Sequence, residues 1–586
     1  MKSSRLLLFM QIMSILPAIF FLFIYADTNI YSLLAVAILL LLVGINIYKY
    51  IKKIRLVRYP IVLALVGTFF LYAFYGLGST QTPQSFENLK AKETATLFSF
   101  GKLKQIDKIC YYVGIDKNAN FTLDYMQKDG WKNFYTYKKN FPYSFRWSCI
   151  KSNLLTSKVM LRITKNQMMF GEVRFSHLGK TIPYKTNRKL LNDEPEPSVD
   201  TSYYSGMFFD EIYHGRTAYE IRHGMSIYEN THPYLGKLLI IPGIEMFDMT
   251  PFGWRFTNVL FAGLLIFMAY YFALQLFRKR LLAFTAAFLM TYSFMHLTQS
   301  RMAHIDTFGV LFVFISYFFL YRFIIKQHLY LLLYSGVFFG LASAVKWSAV
   351  FASIGFVFIA LYLLISKYPL HKRFAGVKLL LYGILSYGVV AVIVYALSFF
   401  DIYFRTGSLQ SVMDYNFNMY NYHSTMAATH SYSSQWWSWP LDIKPMCYYR
   451  QIHGQLFSSI TVFGNPAIFW VGIVAVLYLF YVMIKRATLE ASFILLSFLG
   501  LYLPYIFVGR LMFIYHFYYA VPFIMLAIVY GLKDIVKYFP TYRKYYGVYL
   551  LIVAALFLAF YPVLSGYEVP KTYVDQQLKW FSGWWL

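Results

Sequence analysis

Runs of about 20 apolar residues recur along this chain, and that length is what a helix needs to cross a hydrocarbon layer about 30 Å thick. Thirteen such spans can be read, at roughly 6–26, 30–48, 59–79, 253–277, 281–299, 303–324, 329–345, 349–366, 378–399, 462–484, 489–508, 511–532 and 546–565. The composition agrees. Of 586 residues 59% are hydrophobic and only 14% charged, where a soluble chain carries about a quarter. Tyr and Phe are abundant (55 and 58), as expected where side chains meet both lipid and interface. A soluble enzyme is excluded. A scaffold with a membrane anchor is disfavoured too, because an anchor needs one span.

The net charge of +28 does not indicate nucleic acid, because the basic residues cluster in short loops between spans. Lys49 to Arg58, Arg278–Arg280, Arg322 with Lys326, Lys367 with Lys372 and Arg373, Lys485–Arg486 and Lys533 to Lys544 fall in alternate loops. The positive-inside rule then puts the N-terminus in the cytoplasm. The 80–252 segment, the 400–461 loop and the C-terminus face the other side. The first apolar block follows Lys2 and Arg5 without a small-residue cleavage site, so it reads as a retained helix.

Residues 83–197 are a different material. Lys108–Val113, Asn120–Tyr125, Lys158–Thr164 and Gly171–Phe175 alternate apolar and polar with period two, which predicts a β-sandwich of short strands. Asn192–Pro197 reads as its linker. Cys110 and Cys149 lie in this segment and are open to either one disulfide or two free thiols. The organisation is therefore residues 1–58 with two additional spans, 59–82 with the first core span and 83–197 as the sandwich. Residues 198–252 form a loop with an acidic motif, 253–399 a membrane core, 400–461 an aromatic loop and 462–586 the C-terminal helices.

Adjacent carboxylates Asp210 and Glu211, in Phe208–His214, are costly to desolvate at a membrane surface unless they have a role. Asp210 shares a helix face with His214. The competing reading is helix N-capping. Close by come His232 and Lys237 in His232-Pro233-Tyr234-Leu235-Gly236-Lys237. Arg301, His304 and Asp306 open a span, either as functional groups or as an Arg301–Asp306 ion pair. Lys237, Lys346, Arg510 and His516 are cations at outer span ends, against the positive-inside bias, and a phosphate site would explain several together. The aromatic loop holds His430, Trp436 and Trp437, suited to an interfacial anchor or to stacking on sugar or lipid. His214, His232, His304, Glu211 and Asp306 could assemble round a divalent cation, but no tight ligand spacing is present and the metal question stays open.

Together, Phe209-Asp210-Glu211 with His214-Gly215, His232 to Lys237, Ser300-Arg301 to Asp306, Ala344 to Trp347, His430 to Pro440 with Pro445 and Tyr448, and Gly509-Arg510 with Tyr515-His516 resemble the protein O-mannosyltransferase family, part of the GT-C class. The resemblance implies a polytopic α-helical membrane protein of about 13 helices with a GT-C-like core, here with the β-sandwich inserted outside the cytoplasm. It implies inverting transfer of a sugar, mannose, from a polyprenyl-phosphate donor to a Ser or Thr hydroxyl. Asp210 and Glu211 would be catalytic, while Arg301, Lys346, Arg510 and His516 would hold the donor phosphate. His214, His232, Lys237, Asp306, His430, Trp436 and Trp437 would line the substrate site.

Three features depart from the family pattern. Tyr234 stands where a second Pro is usual, the 400–461 loop is too short for a β-trefoil, and the sandwich is additional. These fit a bacterial member in the plasma membrane and widen the acceptor to protein, wall polymer or lipid. A transporter or lipid flippase is the other class. It would place ionisable groups at the bilayer midplane, whereas here they collect at one face.

Overall fold

The computed structural model describes residues 60–138, 144–191, 200–366 and 376–586. The spans expected at 6–26 and 30–48, the linker at 192–197 and the basic loop at 367–373 lie outside these residues. The chain divides into two compact units. One comprises residues through Gly76, Glu229–Leu239 and Phe256–Leu586; the other comprises Leu77–Tyr228 and Ile240–Arg255.

The first unit is helical. Among the described residues eight helices are long and apolar enough to cross a membrane, or nine when the bent pair Arg280–Thr291 and Phe294–Ser300 counts as one span. Pro60–Phe74 and Leu329–Val345 are shorter apolar helices, at two of the eleven spans expected within the described residues. Small and hydroxyl residues mark where helices meet. A Cβ on Gly500 would fall 2.2 Å from the Gly355 Cα, so glycine is needed at that crossing. Ser316 Oγ donates to Ser335 O at 2.8 Å, and Tyr317 Oη to Ala352 O at 2.9 Å. Such pairs satisfy polar groups that lipid cannot.

Arg301 closes a larger gap. Its guanidinium donates to the carbonyls of Tyr72, Ala73, Tyr75 and Gly76, and to that of Ser565, at 2.7–3.1 Å. These are end-of-helix acceptors with no further turn to pair with. Asn258 Nδ2 donates to Met302 O at 2.5 Å and to His304 O at 2.6 Å, which satisfies the non-helical stretch ahead of the helix Asp306–Lys326.

The second unit is built on antiparallel strands β1 Glu87–Lys90, β2 Thr96–Asp116, β3 Asn120–Gln127, β4 Gly130–Tyr137, β5 Ser144–Lys165, β6 Gln167–His177, β7 Lys180–Thr181 and β8 Lys185–Thr186. They pair in the order β1-β6-β2-β5-β3-β4, with β7 on β6 and β8 on β2. The four period-two runs all lie in strands. The strands are not uniformly short, however. β2 and β5 have 21 and 22 residues, and their pairing shifts register between Ser99 and Lys104 and between Ile106 and Lys108. Such bulges bend a long strand without ending it. One face buries Phe98, Ile109, Tyr111, Phe121, Leu161 and Phe170. On the other, Cys110 and Cys149 are directly opposed and disulfide-bonded.

The helix Glu211–Arg222 belongs to this unit and is bolted to the sheet. Buried Arg216 pairs with Glu220 at 2.8 Å, donates to Asp116 O at 3.3 Å and lies 3.9 Å from the Tyr228 ring centre. The Tyr219 and Phe145 rings meet edge to face at 4.9 Å.

Candidate active site

Each unit holds one concentration of the residues singled out from sequence. In the sheet unit the backbone turns sharply at Phe209, where φ is +46°. A bulky side chain rarely adopts that conformation, and such strain gathers at functional positions. The turn sets Asp210 at the start of the helix Glu211–Arg222. Asp210 is half-buried and its side chain makes no capping hydrogen bond, so the N-capping reading does not hold. Its carbonyl accepts from His214 N at 3.0 Å, and His214 is buried in the helix.

Glu211 differs from its neighbour. Its two oxygens accept from Arg255 Nε at 2.6 Å and Nη2 at 2.7 Å, both residues are 0% exposed, and Oε2 lies 3.3 Å from the N–H of Phe208. Arg255 also donates to Leu77 O and Gly206 O. This is a bidentate, fully hydrogen-bonded ion pair. Glu211, expected to be catalytic, is a buried structural carboxylate. Arg255 was not singled out, although a lone Arg at the head of an apolar run carries the signal.

In the helical unit a cavity of about 170 Å³ is lined by His232, Lys346, Trp347, His423, Arg510 and His516, among others. Lys346 lies at the end of the helix Leu329–Val345, with Nζ 2.8 Å from Asp306 Oδ1. Asp306 Oδ2 is 3.2 Å from His304 Nδ1. Asp306 therefore pairs with Lys346 and His304 rather than with Arg301, and balances a cation of the cavity wall. His516 stacks on Trp439 with planes 15° apart. Arg510 Nη1 is 2.6 Å from His423 Nδ1.

His232 is held at the wall by Glu229, whose Oε1 is 3.0 Å from Nδ1. Burial pulls its pKa below the ordinary histidine range, and Glu229 opposes the shift. Lys237 is 0% exposed, forms an ion pair with the Glu229 carboxylate and donates to Glu229 O, His232 O and Tyr415 Oη at 2.8–3.0 Å. Burial lowers its pKa too. It pins the loop that presents His232 and does not line the cavity, contrary to expectation. Arg301 is likewise absent from the cavity wall, its guanidinium being engaged by five carbonyls.

His430 lines a separate, shallow hollow with Thr429, Ser433 and Leu511. Trp436 packs on Tyr502 and accepts its hydroxyl, while Trp437 is 53% exposed. Neither ring lines the cavity. Of the metal-ligand set read from sequence, Glu211 and Asp306 are engaged by cations. His423, Glu229 and Tyr415 complete the local network and went unremarked in the sequence, because His423 and Tyr415 meet distant segments and Glu229 lies outside any motif.

An apolar groove of about 480 Å³ occupies the same unit, lined by Leu320, Ile324, Phe356, Val357, Leu380 and Tyr387 among others. Its polar counterpart continues along one segment. Trp347, Ser348 and Phe351 face the cavity, whereas Ser353 to Leu364 line the groove. A long apolar tail with a charged head matches that sequence of linings.

Comparison with known proteins gives a consistent result. Residues 231–396 match the family model described as dolichyl-phosphate-mannose-protein mannosyltransferase, and residues 408–584 match the C-terminal four-helix region of protein O-mannosyltransferase. The polyprenol-phosphate-mannose–protein mannosyltransferase of Corynebacterium glutamicum is 27% identical over 429 residues, covering 60% of this chain and 81% of the relative. The same-named protein of Mycobacterium tuberculosis is 22% identical over 423 residues, covering 60% and 80%. The Saccharomyces cerevisiae protein O-mannosyltransferase Pmt1–Pmt2 complex bound to the sugar donor shares the fold at TM-score 0.54 and 13% identity, over 64% of this chain and 88% of that one.

Proposed function

The chain belongs to the protein O-mannosyltransferase family of GT-C membrane glycosyltransferases, and on that premise we propose how its residues divide the reaction. It is a polyprenyl-phosphate-mannose-dependent mannosyltransferase acting on protein. Asp210 takes the proton of a Ser or Thr hydroxyl. The oxygen attacks the anomeric carbon of mannose, the bond from that carbon to the phosphate oxygen breaks, and the phosphate keeps the electron pair. Attack from the face opposite the leaving group inverts the anomeric centre. Arg510, with Lys346 and His516, offsets the charge that grows on the phosphate. The step as written uses no metal.

The observation that carries this reading is the cavity lined by Lys346, Arg510, His232 and His516, on a segment that continues into an apolar groove. Arg suits bidentate phosphate contact, and a prenyl tail suits the groove. Asp210 is supported as base by its half-buried place at the head of the helix, just after the strained turn at Phe209, whereas Glu211 is closed in a bidentate ion pair with Arg255. His214 lies one helical turn from Asp210 on the same face, and we keep it, with His232, as a substrate-side group. The disulfide Cys110–Cys149 supports an extracytoplasmic sheet unit, because such bonds persist in oxidising spaces. With the basic loops on the other side, this fits a site outside the cytoplasm of a bacterial plasma membrane.

The test is transfer by purified protein from radiolabelled polyprenyl-phosphate-mannose to acceptor peptide. Asp210→Asn should keep its fold and lose about 10²–10⁴-fold in kcat. An Asp210→Asn enzyme of near wild-type kcat refutes the base. Consumption of a different lipid-linked sugar, or labelling of a wall polymer or lipid instead of peptide, redirects the substrate assignment.

A further inference from the structure

We infer that His423 is a positioning residue that aims the Arg510 guanidinium into the cavity; this rests on the donor reading above, because a phosphate is what the aimed fork would grip. Arg510 needs such a partner. It lies on an irregular stretch between the short helices Leu503–Phe507 and Ile514–Ala520, next to Gly509, where an added Cβ would meet nothing within 4 Å. Among the described residues no acidic side chain forms an ion pair with Arg510, unlike Lys346 with Asp306. What holds it is one imidazole.

The hydrogen-bond chemistry of that imidazole is determined. Nε2 of His423 is 2.7 Å from the carbonyl oxygen of Thr231. A carbonyl only accepts, so Nε2 carries the hydrogen. Nδ1 is then bare and accepts from Arg510 Nη1 at 2.6 Å. Burial, then the Arg510 charge, push the His423 pKa down to about 4, which keeps the ring in this neutral form at neutral pH. His423 thus ties the loop carrying His232 to the segment carrying Arg510.

The platform beneath His423 is fixed on one side and apolar on the other. The helix Leu409–Thr425 buries Met419 and Tyr415, takes the Lys237 ammonium on the Tyr415 hydroxyl and accepts Tyr395 Oη on Asn416 Oδ1 at 2.5 Å. Leu409, Met413, Phe417 and Tyr420 form an exposed stripe spaced at helical intervals. His423 is one turn beyond Met419, on the anchored side.

The experiment uses the full chain in lipid nanodiscs. His423→Ala should raise the KM for polyprenyl-phosphate-mannose about tenfold or more with kcat changed little, the size expected for a hydrogen bond to a charged group. Asn can offer an oxygen where Nδ1 was, so His423→Asn should return to within about threefold of wild type. Gln reaches toward the Nε2 position and should not rescue. The double variant His423→Ala, Arg510→Ala should be no worse than Arg510→Ala alone. Binding of radiolabelled polyprenyl phosphate, which carries no sugar, is measured in parallel and should weaken by the same factor in His423→Ala. If wild type transfers no mannose yet binds polyprenyl phosphate in a His423- and Arg510-dependent way, the transfer reading fails and the positioning role stands. The role is overturned if His423→Ala binds polyprenyl phosphate like wild type, if Gln rescues as well as Asn, or if the losses of the two single variants multiply. Should the Ala variant not fold, the Asn and Gln pair decides the question.

Discussion

The ion pair Glu211–Arg255 in the sheet unit and the Arg510 region of the helical unit use charge in opposite ways. In the first, carboxylate and guanidinium meet through two hydrogen bonds at 0% exposure, with remaining donors on backbone carbonyls. Nothing is left over for a ligand. In the second, cations face a cavity, and Arg510 is held by a neutral ring in place of a counter-charge. Arg255, neutralised and sealed, holds structure; Arg510, merely steered at a cavity wall, retains its field for an incoming anion. Burial alone does not separate these cases, but the chemistry of the partner does.

The largest effect expected is on the closed pair. Arg255→Ala or Glu211→Ala strands a buried charge and should cost about 3–5 kcal/mol, read as lost yield and a lower midpoint of thermal unfolding. A well-folded Arg255→Ala protein with full activity breaks the contrast from that side. Next comes Arg510→Ala. Losing one charged hydrogen-bond partner of the phosphate should lower kcat/KM by about ten- to a hundredfold, with the unfolding midpoint nearly unchanged. An Arg510→Ala variant that unfolds instead would move Arg510 into the structural class.

The pH dependence is smaller and has a definite sign. His232 and His423 are both held below the ordinary value of 6.5 in the folded state, His423 at about 4, chiefly by burial. Below 6.5 the unfolded chain therefore binds protons that the folded chain refuses. Stability should fall as pH drops from 6.5 toward 4 and be level above that window. His423→Asn should flatten the slope, measured by thermal unfolding across the window. The smallest change belongs to Arg222–Glu245, an exposed ion pair at the other end of the helix that begins at Glu211. Arg222→Ala should leave both midpoint and activity within error, because water and salt screen such a pair. A measurable loss there would show that burial is not what distinguishes Glu211.

What the sequence disclosed follows from the range of the interactions involved. Spans and strands are local: twenty apolar residues in a row, or alternation along Lys108–Val113, are written within one segment. Pairings are not local. The opposition of Cys110 and Cys149 depends on the register of β2 against β5, which period-two patterning cannot supply. Arg301 looked like a phosphate ligand because a membrane arginine must satisfy its donors somehow. Its acceptors are backbone carbonyls more than 200 residues away, and any residue type can offer one. Lys237 misled for another reason: its ammonium is taken up by Glu229 and His232 of its own loop, and only Tyr415 is distant. Asp210 and Glu211 are neighbours of like charge, and the partner that closes on Glu211, Arg255, lies 44 residues further along the chain. Arg510 and Lys346 stood out because they violate the charge bias of outer loops, a signal that needs no partner to be seen.

The Arg301 clamp also bears on how the chain is made. Its carbonyl partners come from the end of the helix Pro60–Phe74 and from Ser565, at the close of the last long helix. A ribosome still short of residue 565 has therefore delivered an arginine whose final acceptor does not yet exist. Sealing of this seam must await synthesis of residue 565, so a nonsense codon ahead of it would leave the clamp without the acceptor that joins it to the last long helix, and quality-control proteases should find it there.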